Sequence, residues 1–379
     1  SGDRAAVETL IEAGERALAT GAPRAAIAYL ARALKEPAPP ELRSAVLLPL
    51  ITASFRAGDH AAFAAIEADV WEELGRQPSR RTEWAVPLTM ALSLGGRFDE
   101  AVSMLGEAVE LALGAGDVDL AFQLEAQLST LALLGPKVPD HDLGRYEDQI
   151  DPSGPVGRLA AAMRIRSAIV EGTAGEAVAA AKQALGDDCA IFTEEPDLAG
   201  AAIAVQALAI ADEVDVASAA AERALAIATE RNATPDLIRA RYLKGFVAWA
   251  YGDLGAAEAD LRQAIDLARL AGILPLVLLF APGLVEILIE RNELEAANAE
   301  LEAVGAGSGP TPENVIFSIL LVARVHLRYE QGDLIRCLED FEALESQATG
   351  MGLGPGPAVI VSPWVVRALV ASGRREEAA

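Results

Sequence analysis

Nine times along this chain a small or turn-forming residue is followed five positions later by a small or apolar one, and the step between copies settles at forty residues. The turn residues are Gly21, Gly58, Gly96, Gly172, Asp212, Gly252, Asn292, Gly332 and Gly373. Their partners are Ala26, Phe63, Ala101, Ala177, Ala217, Ala257, Ala297, Cys337 and Ala378. Self-similarity at such a period marks an array of stacked helical hairpins. Each hairpin packs only on its neighbours, so the chain is quasi-one-dimensional, suited to presenting surfaces rather than making bonds.

Composition agrees with helices. Hydrophobic residues make up 52% of the chain and aromatic ones only 5%. Alanine has the best helix propensity, and its small side chain lets helices approach closely. Alternating runs of β-branched and aromatic residues, the strand signal, are missing. A formal net charge of −25 repels phosphate, so direct nucleic-acid binding is not expected. Cys189 and Cys337 are too few for a disulfide framework and suit a reducing, cytoplasmic setting. Cys337 occupies a small-residue packing position and reads as a buried thiol. The longest apolar run, Ile273 to Ile289, is broken by Pro275, Pro282, Gly283 and Glu286, and reads as a buried helix pair rather than a membrane span.

The unit from Asp236 to Gly272 shows the grammar most clearly. A first helix is expected to about Tyr251, a turn at Gly252-Asp253 and an Asp253 cap on the second helix. That helix carries Ala257, Leu261, Ala264 and Leu267 on one face. Ala257 is placed where the two helices cross closest. Gly272 ends the unit, with Pro275 beyond it as a stop signal. The turn glycine, the alanine five on, the apolar residue four later and the alanine after that resemble tetratricopeptide repeats. The implied fold is all-α: a right-handed α-solenoid of about nine to ten tetratricopeptide-like hairpins of roughly 40 residues. Residues 1–379 read as a single array with an irregular segment at 135–157, carrying a short helix near Asp142 to Ile150. Gly305 to Asn314 and Gly350 to Val359 read as turn-rich links. The array looks cut at both ends, beginning inside a first helix and stopping as a second would start.

No phosphate loop, dinucleotide fingerprint, zinc-protease motif or nucleophile elbow occurs, so no catalytic residue, metal ligand or cofactor is assigned. His60, His141 and His326 are far apart in sequence and lack nearby cysteines. Recognition is the better question. In tetratricopeptide arrays the first helix of each hairpin lines the concave groove. Around Gly252 the groove-facing positions are Arg239, Tyr242, Phe246 and Trp249, and neighbouring units offer Arg166, Gln206, Glu286, His326 and Tyr329. An aromatic floor with scattered polar groups suits a peptide or a small apolar ligand. Aromatics on a first helix also serve to pack against the next hairpin, and both roles are open at this stage. The Lys/Asn clamp for C-terminal carboxylates is not visible, which disfavours a chaperone-adaptor role.

Two stretches carry a narrower resemblance. AGERALATGAPRAAIAYLARALKEP (Ala13 to Pro37) and PAVIVSPWVVRALVASGRREEA (Pro357 to Ala378) are similar to the helical-repeat region of large ATP-binding LuxR-family transcriptional regulators, the MalT-like type. The resemblance implies a sensor and scaffold to which an inducer or partner protein binds. Its flanking ATPase and helix-turn-helix domains are absent from this chain, so neither activity falls to any residue here. Self-association is a further implied property. The alternative is a freestanding protein-interaction scaffold, and neither reading is enzymatic.

Overall fold

The computed structural model describes residues 4–36, 40–77, 80–94, 96–131, 143–146, 148–171, 173–194, 199–312, 314–351 and 356–376. These form twenty α-helices, with a few short 3-10 turns and no strand among the described residues. Consecutive helices pack antiparallel in pairs, and each pair packs on the next. Arg4–Ala19 pairs with Pro23–Lys35, and Thr234–Ala250 with Leu254–Leu270. Leu274–Glu290 then pairs with Leu294–Ala303, and Val315–Glu330 with Leu334–Met351. The chain is an α-solenoid.

The repeated turn has one physical basis. Gly252 adopts φ 80°, its amide donates to the Trp249 carbonyl at 2.9 Å, and the Asp253 amide donates to the Ala248 carbonyl at 2.9 Å. This is the left-handed helix stop that satisfies the last orphan carbonyls. The same bond, from the residue after the turn to the one four before it, recurs at Gly21, Gly58, Gly96, Asp212, Asn292, Gly332 and Gly373. Asp212 and Asn292 reach φ 61° and 60°, which their short polar side chains tolerate. Gly172 and Ala378 lie outside the described residues. The other eight small or apolar partners, Cys337 among them, are buried.

The Asp236 to Gly272 unit follows the expected plan with three refinements. Asp253 Oδ1 accepts from the Ala256 amide at 3.0 Å, and Ala257, Leu261 and Ala264 are buried. Leu267 is only half-buried, and Ala268 takes the core position beside it. The crossing involves Gly245 as well as Ala257: a Cβ on Gly245 would lie 2.0 Å from Leu261 Cδ1 and 3.1 Å from the Ala257 carbonyl. Pro275 is not a stop signal; it sits in the first turn of Leu274–Glu290, where its missing N–H costs nothing.

The apolar run from Ile273 to Ile289 is likewise not a helix pair. It is one continuous helix, Leu274–Glu290, with Pro282 inside it. Pro49, Pro87 and Pro363 also sit inside first helices. No helix among the described residues is long and apolar enough to cross a membrane.

Within the irregular segment, residues 143–146 form a 3-10 turn, residues 148–150 are turn and bend rather than helix, and the helix Pro155–Glu171 begins before the segment ends. Tyr146 is buried edge-on against Phe122 at 5.6 Å, which fixes the segment to the preceding helix Val118–Leu131. Residues 132–142 and 147 lie outside the described part. The link after Met351 is shorter than expected, since the last helix already starts at Gly356.

The sequence did not disclose how far the superhelix closes. A Cβ on Gly21 would lie 2.6 Å from the Glu230 carbonyl, and one on Gly58 3.4 Å from Ala271. Turns of the first hairpins therefore touch links some two hundred residues on. First helices meet as well: Arg43–Ala57 packs on Thr234–Ala250, and Arg81–Leu94 on Leu274–Glu290. Phe55 and Met90 share one apolar cluster with Ile238 and Phe280. Along this stretch part of the inner side is filled by the chain itself, while Phe246 and Trp249 stay half-exposed.

Candidate recognition surface

The residues expected to face the groove lie on successive first helices, and several of them are joined from one unit to the next. Gln206 on Ala199–Ile210 donates from Nε2 to the Tyr242 hydroxyl at 3.0 Å. The Tyr242 ring stacks on Phe280 with centroids 4.0 Å apart and planes 8° from parallel. Phe246 lies 6.2 Å from Tyr242 and meets Trp249 edge-to-face at 5.8 Å. Trp249 Nε1 donates to Glu290 Oε1 of the next unit at 2.8 Å. This is one stripe running from Gln206 to Glu290.

A second group joins the units that follow. His326 Nδ1 lies 2.6 Å from Glu286 Oε2, and Nε2 lies 3.8 Å from Glu330. The imidazole stacks on Trp364 at 3.8 Å. Tyr329 packs, partly buried, against the apolar cluster of the last units, as do Trp364 and Phe341. Arg239 is half-buried, and its Nη1 has no hydrogen-bond partner. The Arg166 side chain lies outside the described part.

Burial tunes two of these groups. The Tyr242 hydroxyl is desolvated, which raises its pKa from 10.0 to about 12 despite the opposing Gln206 bond. Desolvation also raises Glu286 above the ordinary carboxylate value, against the pull of His326 and helped by Glu290. Glu286 and His326 are bonded to each other, as are Tyr242 and Gln206. Such pairs hold neighbouring hairpins together. Among the described residues no three His, Cys, Asp or Glu side chains converge as a metal site.

Phe280, Glu290, Glu330 and Trp364 complete the surface but were not singled out in the sequence. The available signal was spacing: Tyr242 and Phe280 lie 38 residues apart, as do His326 and Trp364, two short of the forty-residue step and so on neighbouring first helices. Two buried arginines were missed as well. Arg324 Nε donates to Asp340 Oδ2 at 2.9 Å, and its Nη1 and Nη2 donate to the Ala306 and Gly309 carbonyls. Arg328 reaches the Gly307 carbonyl. Together they order the link that composition marked only as turn-rich.

The hairpin unit, its left-handed stop and its buried alanine define an α-solenoid of tetratricopeptide-like repeats. The chain is similar in structure to the crystal structure of a tetratricopeptide repeat protein from Parabacteroides merdae, with a TM-score of 0.43 and 13% sequence identity, covering 75% of this chain and 99% of that one. No protein-family model and no curated protein matches the chain.

Proposed function

We propose that this chain is a non-catalytic interaction scaffold that holds a protein or peptide partner on its inner face. The observation that carries this reading is the stripe from Gln206 to Glu290. Its polar atoms are fixed by neighbouring units, while Phe246 and Trp249 stay half-exposed in a rigid edge-to-face pair. Aromatic anchors of fixed geometry lose little entropy on binding and dominate recognition energies. The groups that could exchange protons are bonded to one another, which suits architecture better than acid–base chemistry.

The finer reading is the sensor region of an ATP-dependent LuxR-type transcriptional regulator, in which a partner or inducer biases the superhelix. It rests on the resemblance of Ala13 to Pro37 and Pro357 to Ala378 to such regions. The natural reading frame should then encode a phosphate loop upstream and a helix-turn-helix downstream. In that full protein, Phe246→Ala with Trp249→Ala should abolish partner-dependent transcription and leave ATP binding intact. A frame lacking both modules would leave the scaffold reading alone. Unchanged partner affinity in the double variant would remove the inner-face site itself.

A further inference from the structure

Two clefts lie on the seam where turns of the early hairpins meet the starts of later ones. The first, of 440 Å³, is walled by Phe98, Leu274, Leu278, Ile316 and Phe317, with His60 at its edge. The second, of 510 Å³, shares His60 and adds Arg24, Asp59 and Thr234. An apolar chamber with a few polar groups at one end is the usual form of a small-molecule site.

The polar groups divide into committed and uncommitted ones. Asp59 Oδ1 already accepts from the Ala62 amide at 2.9 Å, and Asn314 Oδ1 from the Phe317 amide at 3.0 Å. His60 Nε2 is buried with no hydrogen-bond partner, an arrangement that is costly unless something binds there. Arg24 is exposed and pairs with no carboxylate among the described residues. Arg24 lines the second cleft together with His60, so a cation and an unsatisfied imidazole share its wall. An imidazole N–H and a guanidinium together complement a carboxylate.

We propose that this seam binds a small apolar carboxylic acid, with its hydrocarbon body among Phe98, Leu278 and Phe317 and its carboxylate on His60 Nε2 and Arg24. The site is separate from the inner face and does not depend on the partner reading. Its walls come from segments about two hundred residues apart, so an occupant favours the state in which the superhelical turns are in contact.

Calorimetric titration of the purified chain with decanoate, and with decanol as the uncharged control, tests this. Decanoate is expected to bind saturably at one site, about tenfold or more tighter than decanol, since a charge-assisted hydrogen bond is worth at least that factor. Arg24→Ala and His60→Ala should each weaken decanoate about tenfold. Leu278→Trp should abolish binding by filling the chamber, and Phe246→Ala should leave it unchanged. Arg24 is at the surface, so its variant stays informative even if Leu278→Trp does not fold. No saturation at about 1 mM decanoate, equal affinity for decanol, or full affinity in the Arg24→Ala/His60→Ala double variant would overturn the proposal.

Discussion

Tyr242 and Glu286 are both acids whose anionic form burial disfavours, so both are shifted upward. The folded chain holds the Tyr242 proton up to about pH 12, whereas an unfolded tyrosine releases it near 10.0. In that window the native state binds more protons, so stability falls as pH rises from about 10 to 12. Tyr242→Phe should flatten that fall and, at neutral pH, cost about 1 kcal/mol for the lost Gln206 bond, both measurable by urea denaturation. Glu286 is likewise raised, from 4.5, chiefly by burial. Stability contributed by its protonated form is present at acid pH and is lost as pH climbs through the raised value. Glu286→Gln keeps a bond to His326 but removes the titration, so its pH–stability curve should lack that decline.

At the level of elements, hairpin contact and link order are set by different residues. Gly245→Ala pushes a methyl onto Leu261 at the crossing of Thr234–Ala250 and Leu254–Leu270. Overpacking costs about 1 to 3 kcal/mol, which exceeds the gain of about 1 kcal/mol in helix propensity. The variant should therefore unfold at lower urea than the parent. Arg324 is 3% exposed and bonds to Asp340 and two link carbonyls. Arg324→Met leaves Asp340 and those carbonyls without their donor, a loss of about 3 to 5 kcal/mol for a broken buried pair. Limited proteolysis should then cut the link at 304–312 well before any helix.

The whole molecule differs from an open ribbon because its turns touch. Phe55 sits between Arg43–Ala57 and the helices near residues 238 and 280, far away along the chain. Phe55→Lys places a charge in that contact, where burial without a partner is expensive. Nearest-neighbour packing within each hairpin is untouched, so circular dichroism should be unchanged while small-angle scattering reports a larger radius of gyration. An unchanged radius would mean that the turns are held together without this cluster.

Local rules made the hairpin legible. Left-handed φ selects Gly, Asn or Asp at the stop, and close crossing selects a buried, mostly small residue five on; eight of the nine stops lie in the described chain and all have that φ. The residues expected at the groove could be placed on first helices for the same reason. Their partners could not. Whether Tyr242 meets a ligand or Phe280, and whether His326 stands free or lies between Glu286 and Trp364, depends on the rotation between adjacent units. Small rotations accumulate along a solenoid, so curvature is a property of the sum and has no signature in any one repeat. The sequence therefore determined the unit and its repetition. Tertiary structure alone decided that the superhelix winds tightly enough for distant turns to meet, filling part of its inner side and opening a seam around His60.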